Sequence, residues 1–203
     1  MSKLNHPIVE QSFAIIDREV GKHSLNPQQY AIARRVIHAT ADFEYLKLLR
    51  FSPGAIEAGI EALKQGVPIV TDVNMVKQGI TSLVSKTFNN PVISAIDLAD
   101  VAEAGKTRTE TGMLRCYDEY PQAVYLIGNA PTALFALCDR LTYSETKPAL
   151  VIGVPVGFVS VVESKEALLK LDVPYITIQG RKGGSPAAAS ILNALLILAM
   201  EKQ

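Results

Sequence analysis

The stretch VYLIGNAPT, residues 124–132, contains the pattern that decides the fold of this chain. Residues 124–127 form a short apolar run, which is typical of a strand buried on both faces. Small and turn-forming residues follow at 128–131, and Thr132 opens a stretch of helical character that extends to residue 141. A strand that passes through a tight turn into a helix is one half of a βαβ unit.

The same alternation extends through the C-terminal two thirds of the chain. We predict strands over residues 68–73, 92–96, 124–127, 150–154 and 175–178. We predict helices over residues 108–119, 132–141, 165–171 and 186–202. This order predicts right-handed crossovers and a mostly parallel central sheet with helices on both faces. The expected fold is therefore an α/β three-layer sandwich.

A helical segment precedes the alternating region. Pro7 is suited to the first turn of one helix, and Asn26 followed by Pro27 predicts the N-cap and first turn of a second. A Ser-Pro-Gly break at 52–54 ends this segment, and a further helix is predicted over residues 55–64. The fold is thus expected to begin with an N-terminal helical segment.

The composition favours a single domain spanning residues 1–203. With 48% hydrophobic and 20% charged residues, the chain is able to bury one large core. Twenty basic residues balance twenty acidic ones, so no overall field attracts nucleic acid or an anionic membrane. The longest apolar stretch, 187–200, is interrupted by Ser190 and Asn193 and is too short to span a bilayer.

The two cysteines, Cys116 and Cys138, form neither a disulfide framework nor a CxxC metal-ligand pair. We expect both to be buried, reduced packing residues of a cytoplasmic protein. No protein metal site is indicated by the sequence.

Three predicted loops follow strands at the edge where open parallel sheets bind ligands. They are residues 128–132, 155–159 and 180–185, and all contain glycine or other small residues. The third loop places Arg181 and Lys182 just before a helix, a combination that favours anions. It lacks the P-loop spacing, and no GxGxxG follows a predicted strand. The alternative is a glycine-rich turn whose two cations are simply solvated.

His38 lies near the end of the second predicted helix, in the segment RRVIHATAD, residues 34–42. Imidazole exchanges protons near neutral pH, so a histidine among polar neighbours is a candidate acid or base. The alternative is a histidine that caps the end of its helix. His6 and His23 are expected to be surface residues.

Several polar residues have both a functional and a structural interpretation. Asp72, after the first predicted strand with Thr71, lies where functional residues concentrate, but it also suits a cap for a helix over residues 73–77. Thr107 suits a helix cap, while Arg108 would add positive charge to the site. The first helix carries a further set, Ser12, Asp17 and Arg18, for which a solvated helix face is the alternative.

Seven segments spread along the chain carry a family resemblance. They are HPIVEQSFAIIDRE (6–19), RRVIHATADFEY (34–45), PIVTDVNMVKQGI (68–80), KTRTETGM (106–113), IGNAPTAL (127–134), GVPVGFVSVVESKEAL (153–168) and GRKGGSPAAASILNAL (180–195). Together they resemble the precorrin-8X methylmutases, including their cobalt-dependent counterparts, the cobalt-precorrin-8 methylmutases. One departure is Ala41, which stands where many relatives carry glycine.

The resemblance implies migration of a methyl group from C11 to C12 of a corrin precursor. It implies no redox cofactor and no methyl donor, because the methyl group is already on the substrate, and any cobalt would be carried by the macrocycle. It further implies a homodimer whose active site lies near the subunit interface. His38 matches the histidine that the family is proposed to use as a proton donor or hydrogen-bond partner of the tetrapyrrole ring.

A flat macrocycle with several carboxylates requires apolar contact and a rim of anion donors. The expected catalytic residue is His38. The expected substrate-binding residues are Ser12, Arg18, Thr40, Thr71, Arg108, Asn129, Thr132, Val156, Gly157, Phe158, Arg181, Lys182, Gly183 and Ser185. Two other functions stay open: a non-catalytic corrinoid carrier, and an α/β enzyme that acts on a phosphorylated small molecule. The sequence also leaves open whether the substrate contains cobalt.

Overall fold

The computed structural model describes residues 6–201. Its helices are α1 Pro7–Val20, α2 Pro27–Thr40, α3 Tyr45–Leu48, α4 Ala55–Lys64, α5 Asn74–Lys86, α6 Arg108–Glu119, α7 Pro131–Thr142, α8 Val161–Leu169 and α9 Ser185–Glu201. Its strands are β1 Leu49–Phe51, β2 Ile69–Thr71, β3 Val92–Ser94, β4 Val124–Ile127, β5 Leu150–Gly153 and β6 Tyr175–Ile178. A short 3-10 turn, Ala95–Leu98, follows β3.

The six strands form one sheet in the order β1-β6-β5-β4-β2-β3. Strands β2 to β6 are parallel, and β1 pairs antiparallel with β6, with Leu49 opposite Ile178. The predicted α/β class with a mostly parallel sheet and helices on both faces is confirmed. Four elements differ from the prediction. Strand β1 and the short helix α3 were not foreseen, α5 is far longer than the 73–77 segment considered, and α8 begins at Val161 where a start at residue 165 was predicted.

Strand β4 lies at the centre of the sheet. Val124 and Leu126 belong to the core formed with α2, α4, α5 and α9, whereas Tyr125 and Ile127 belong to the core formed with α6, α7 and α8. All four side chains are fully buried. A strand covered by helices on both faces is apolar at every position, which explains the continuous run.

The N-terminal helices are capped largely as the sequence predicted. Pro7 lies in the first turn of α1, and Asn26 caps α2 through a reciprocal capping box with Gln29. Helix α1 packs on α2, and α2 packs on the long, buried helix α9. No helix within residues 6–201 is long and apolar enough to cross a membrane.

The chain changes direction across the sheet between β2 and β4. After β2 it moves outward to β3, and it then returns to place β4 on the other side of β2. The carboxyl ends of two such strands flank a crevice, which is the usual ligand position in open α/β sheets. Asp72 follows β2 and Gly128 follows β4 at this point.

Candidate active site

Asp72 fills the crevice between β2 and β4. Its fully buried carboxylate accepts the backbone N–H groups of Val73 at 3.0 Å, Gly128 at 3.2 Å, Asn129 at 2.6 Å and Ala130 at 2.7 Å. Burial raises the pKa of Asp72, and the four amide donors oppose that shift. The interpretation of Asp72 as a helix cap is wrong, because α5 has Val73 at its N-cap without a side-chain bond. The carboxylate instead fixes the loop after β4, whose amides are therefore already occupied.

The loop after β6, residues 179–184, is held by two hydrogen bonds and by a close backbone contact. The Arg181 carbonyl accepts the N–H of Gly157 at 3.3 Å, and the Gly183 carbonyl accepts the Tyr45 hydroxyl at 3.3 Å. Gly183 has φ +155°, and a Cβ there would lie 2.2 Å from the Val154 carbonyl oxygen. Only glycine fits so close to a neighbouring backbone. This loop thus joins the loop after β5 to the segment that follows α2.

Lys165 of α8 supports the same loop from inside the protein. Its Nζ donates to the Gly180 carbonyl at 2.9 Å and to the Lys182 carbonyl at 2.6 Å. Only 2% of the residue is exposed, and burial lowers the pKa of Lys165 to about 8. Nothing in the sequence marked this lysine, because a charged residue in a helix is usually solvated.

His38 lies in the last turn of α2 with its side chain exposed. Its ring contacts the Phe13 ring edge-to-face, with centroids 5.4 Å apart. The Arg34 guanidinium lies 4.4 Å from the centre of the same Phe13 ring. Within residues 6–201 the structure shows no hydrogen bond of the His38 ring to a helix carbonyl, and the helix is closed instead by the Ala41 N–H on the Ile37 carbonyl at 2.7 Å. The imidazole is therefore accessible to a ligand.

Two ion pairs tie the helix that carries His38 to the loop after β6. The Lys182 ammonium lies 2.6 Å from the Asp42 carboxylate and 2.7 Å from the Glu44 carboxylate. Its hydrogen bond holds the pKa of Asp42 below the ordinary value, and the two carboxylates raise the pKa of Lys182. Lys182 is thus already paired with two anions, and Arg181 is the more available cation of this loop.

An exposed apolar surface lies beside Arg181. Phe158 is 84% exposed, and Val156 and Val159 are 45% and 81% exposed. The Arg181 guanidinium lies 5.6 Å from the centre of the Phe158 ring. Aromatic surface next to a guanidinium suits a flat ligand with anionic substituents.

A second group of the proposed residues lies at the N-termini of α6 and α7. Thr107 caps α6 as predicted, and its hydroxyl lies 3.0 Å from the Thr132 hydroxyl of α7. Arg108 donates to the carbonyls of Ala99 at 2.9 Å and Ile96 at 3.2 Å. A groove of about 690 Å³ begins at Thr132 and runs between α6 and α7. Arg108 therefore supports the chain after β3 in this structure.

The remaining proposed residues differ in how accessible they are. Thr71 is fully buried and donates to the Ile93 carbonyl at 3.3 Å, and Thr40 donates to the Val36 carbonyl at 2.8 Å. Ser12 and Arg18 lie on α1, Asn129 is exposed next to Asp72, and Ser185 begins α9.

The structure thus places Gly157, Phe158 and residues 181–183 together, with the end of α2 beside them. Thr71 stands apart inside the sheet.

Fold and site together define an open α/β protein with exposed apolar side chains and cations at the carboxyl edge of its sheet. A sequence model of the family described as Precorrin-8X methylmutase matches residues 7–198. The chain belongs to the precorrin-8X methylmutase family.

Individual relatives agree with this assignment. A cobalt-precorrin-8 methylmutase of Synechocystis sp. is 58% identical, over 98% of each chain. A cobalt-precorrin-8 methylmutase of Leptospira interrogans is 41% identical, over 100% of this chain and 97% of its own. The crystal structure of a precorrin-8X methylmutase from Thermus thermophilus superposes with a TM-score of 0.88 at 40% identity, covering 97% of this chain and 99% of that one.

Proposed function

We propose that this chain is a corrin-ring methylmutase, an isomerase of cobalamin biosynthesis formed by a single domain over residues 1–203. It would move a methyl group from C11 to C12 of cobalt-precorrin-8 or precorrin-8X and release cobyrinate or hydrogenobyrinate. The observation that carries the proposal is similarity along nearly the whole length of relatives named for this reaction, at up to 58% identity. The site contains the apolar surface and the cations that such a ligand requires.

His38 is the proposed proton donor or hydrogen-bond partner of the ring. Its exposed imidazole lies four residues before Asp42, which pairs with Lys182 of the loop that holds Arg181, and it would meet a ring nitrogen of a bound tetrapyrrole. A proton given to that nitrogen withdraws electrons from the conjugated ring and lowers the barrier to methyl migration. The proton returns to His38 after the migration, because the isomerisation takes up no proton overall. General acid assistance of this kind contributes about 10²- to 10⁴-fold in rate. The reaction requires no protein nucleophile.

Substrate binding in this proposal combines stacking with anion recognition. Val156 and Phe158 contact the face of the macrocycle, and Arg181 binds one of its carboxylates. Holding the ring in a geometry from which the methyl group migrates supplies a further part of the acceleration. The protein itself uses no cofactor in this scheme, and cobalt, where present, belongs to the substrate.

The proposed working state is a cytoplasmic homodimer with each site near the subunit interface. Burial of both thiols, which raises the pKa of Cys116 and of Cys138 to about 12, agrees with cysteines kept reduced. The exposed Phe158 and Val159 lie beside the site and are suitable for cover by a partner and by substrate. Light scattering tests the dimer.

The test of the function is conversion of precorrin-8X and of cobalt-precorrin-8 by the purified protein, followed by absorbance. A spectral change to the product of either substrate supports the proposal and identifies the form used. Tight corrinoid binding without a spectral change would instead indicate a carrier. Stabilisation by phosphorylated metabolites but not by corrinoids would indicate the small-molecule alternative.

A further inference from the structure

Lys165 is a buried cation whose contacts all converge on one functional loop. Its Nζ reaches the carbonyls of Gly180 and Lys182, the residues on either side of Arg181. With 2% exposure, the ammonium exchanges water for these protein carbonyls. An isolated buried ammonium is costly, so its retention here requires a strong local partner.

The two hydrogen bonds determine where the neighbouring N–H groups point. In a trans peptide the C=O and N–H bonds point in opposite directions. Because the Gly180 carbonyl faces Lys165, the Arg181 N–H faces away from it, and the Lys182 carbonyl orients the Gly183 N–H in the same manner. The ammonium thus orients two peptide dipoles with their positive ends directed away from Lys165.

The loop depends on such support because of its composition. Gly180, Gly183 and Gly184 all have positive φ values, so the segment has few intrinsic conformational restraints. The Tyr45 and Gly157 contacts hold the carbonyls of Gly183 and Arg181. Without Lys165, the other two carbonyls would lack these donors, and the orientation of the Arg181 backbone would be lost.

We propose that Lys165 is a positioning residue for the methylmutase reaction. It fixes the peptide units on both sides of Arg181 so that two N–H groups and the Arg181 side chain bind one substrate carboxylate. This role rests on the proposed function, since it concerns recognition of the same corrinoid. Lys165 does not touch the substrate and acts through the loop.

The decisive variant is Lys165→Met, which keeps the side-chain length and removes the charge and the donors. We expect the KM for the corrinoid substrate to rise about 10- to 100-fold, in line with the loss of charge-assisted hydrogen bonds, while kcat changes less than about threefold. Lys165→Arg should restore part of the loss. Lys170→Met is the matched control, because Lys170 is an exposed lysine at the end of the same helix, and its KM should equal that of the wild type.

The outcomes separate this proposal from the proposed function. Absence of wild-type turnover with either corrinoid would contradict the function itself. Wild-type turnover combined with an unchanged KM in folded Lys165→Met protein would overturn only the role of Lys165. A fall in kcat and melting temperature at constant KM would also overturn it, since that pattern indicates general structural damage.

A measurement on the wild-type protein covers the case in which Lys165→Met does not fold. Bound corrinoid product should slow the hydrogen exchange of the Arg181 and Gly183 amides, because both would donate to a ligand carboxylate. Exchange at these two amides that is the same with and without bound product would overturn the proposal.

Discussion

The Lys182 ammonium lies 2.6 Å from the Asp42 carboxylate and thereby joins the helix that carries His38 to the loop that carries Arg181. The pair is partly exposed, with 40% of the Lys182 side chain and 27% of the Asp42 side chain accessible. Solvent screening makes its contribution to stability small. Its more specific effect is to hold the segment after α2, and with it the proposed acid–base residue His38, against the proposed anion-binding loop 179–184.

We therefore predict that Asp42→Asn lowers kcat/KM by about 3- to 10-fold while the free energy of unfolding changes by less than about 1 kcal/mol. The reason is that the neutral amide holds Lys182 less strongly than the carboxylate does and leaves Glu44 as the remaining charged partner of Lys182, so the two parts of the site move more independently. Steady-state kinetics and urea unfolding test this. Asp139→Asn, on the exposed face of α7, is the control and should leave both quantities unchanged. A normal kcat/KM in Asp42→Asn would contradict the coupling.

His38→Ala should reduce kcat by about 10²- to 10⁴-fold, as expected for removal of a general acid. The side chain is exposed and contacts mainly Phe13, so the melting temperature should change little. Single-turnover absorbance measurements distinguish the chemical step from product release. His23→Ala, which removes an exposed ring stacked on Tyr30, serves as the control. Unchanged turnover of His38→Ala would exclude histidine from the mechanism.

Arg181→Ala should weaken binding of substrate and product more than it alters folding. Its guanidinium contacts the exposed Phe158 ring, so the change removes an anion donor without opening the core. Loss of one charge-assisted contact corresponds to about 10- to 100-fold in dissociation constant. Absorbance titration with the corrinoid product measures this. An affinity equal to that of the wild type would refute the assignment of Arg181 as a carboxylate ligand.

Ala41→Gly should stabilise the protein by about 1 kcal/mol. Ala41 closes α2 with φ +54° and ψ +29°, a left-handed conformation that costs an L-residue with a Cβ about 1 kcal/mol and costs glycine little. Ala39→Gly in the same helix is the control and should destabilise by about 0.5–1 kcal/mol. Equal effects of the two substitutions in thermal unfolding would contradict the explanation.

The ionisation of Lys165 should appear in the pH dependence of stability. Burial lowers the pKa of Lys165 from 10.5, its ordinary value and the one expected in the unfolded chain, to about 8 in the folded protein. The unfolded chain therefore binds more protons than the folded protein between pH 8 and pH 10.5. The penalty for burying the charge is complete below pH 8 and disappears as the pH rises towards 10.5. The unfolding free energy should thus rise with pH through this window by about 3 kcal/mol relative to Lys165→Met. A difference between the two proteins that is independent of pH would argue against a perturbed lysine.

The sequence predicted those parts of the fold that depend on local patterns. Strand β4 was recognisable because burial on both faces leaves an uninterrupted apolar run, and the start of α2 was recognisable from Asn26 and Pro27. Strand β1 was missed because it has three residues, one of them Arg50, and it exists through pairing with β6 more than 120 residues later. Such pairing leaves no periodic signal in so short a segment.

In the candidate site, too, the features set by local sequence could be predicted and those set by long-range contacts could not. The glycine-rich loops could be predicted from composition, because parallel strands bring their carboxyl ends to one edge. The partners that hold these loops could not be predicted, because they are distant in the sequence. Asp72 accepts hydrogen bonds from amides 56 to 58 residues away, and Lys182 pairs with the Asp42 carboxylate 140 residues away. Polar side chains of this kind look like solvated residues until the tertiary structure places their acceptors and donors.

The carboxylate of Asp72 also has a consequence for selectivity among metabolites. In other proteins of this architecture, main-chain amides at the same point of the sheet hold a nucleotide phosphate. Here the Asp72 carboxylate, which is part of the same chain, occupies the amides of residues 128–130. Its effective concentration, of about millimolar or higher, does not depend on the concentration of free metabolites. Any free nucleotide would have to displace this tethered competitor before it could bind. The Asp72 carboxylate thus closes this potential phosphate site and leaves the outer edge of the sheet as the place for the proposed, much larger ligand.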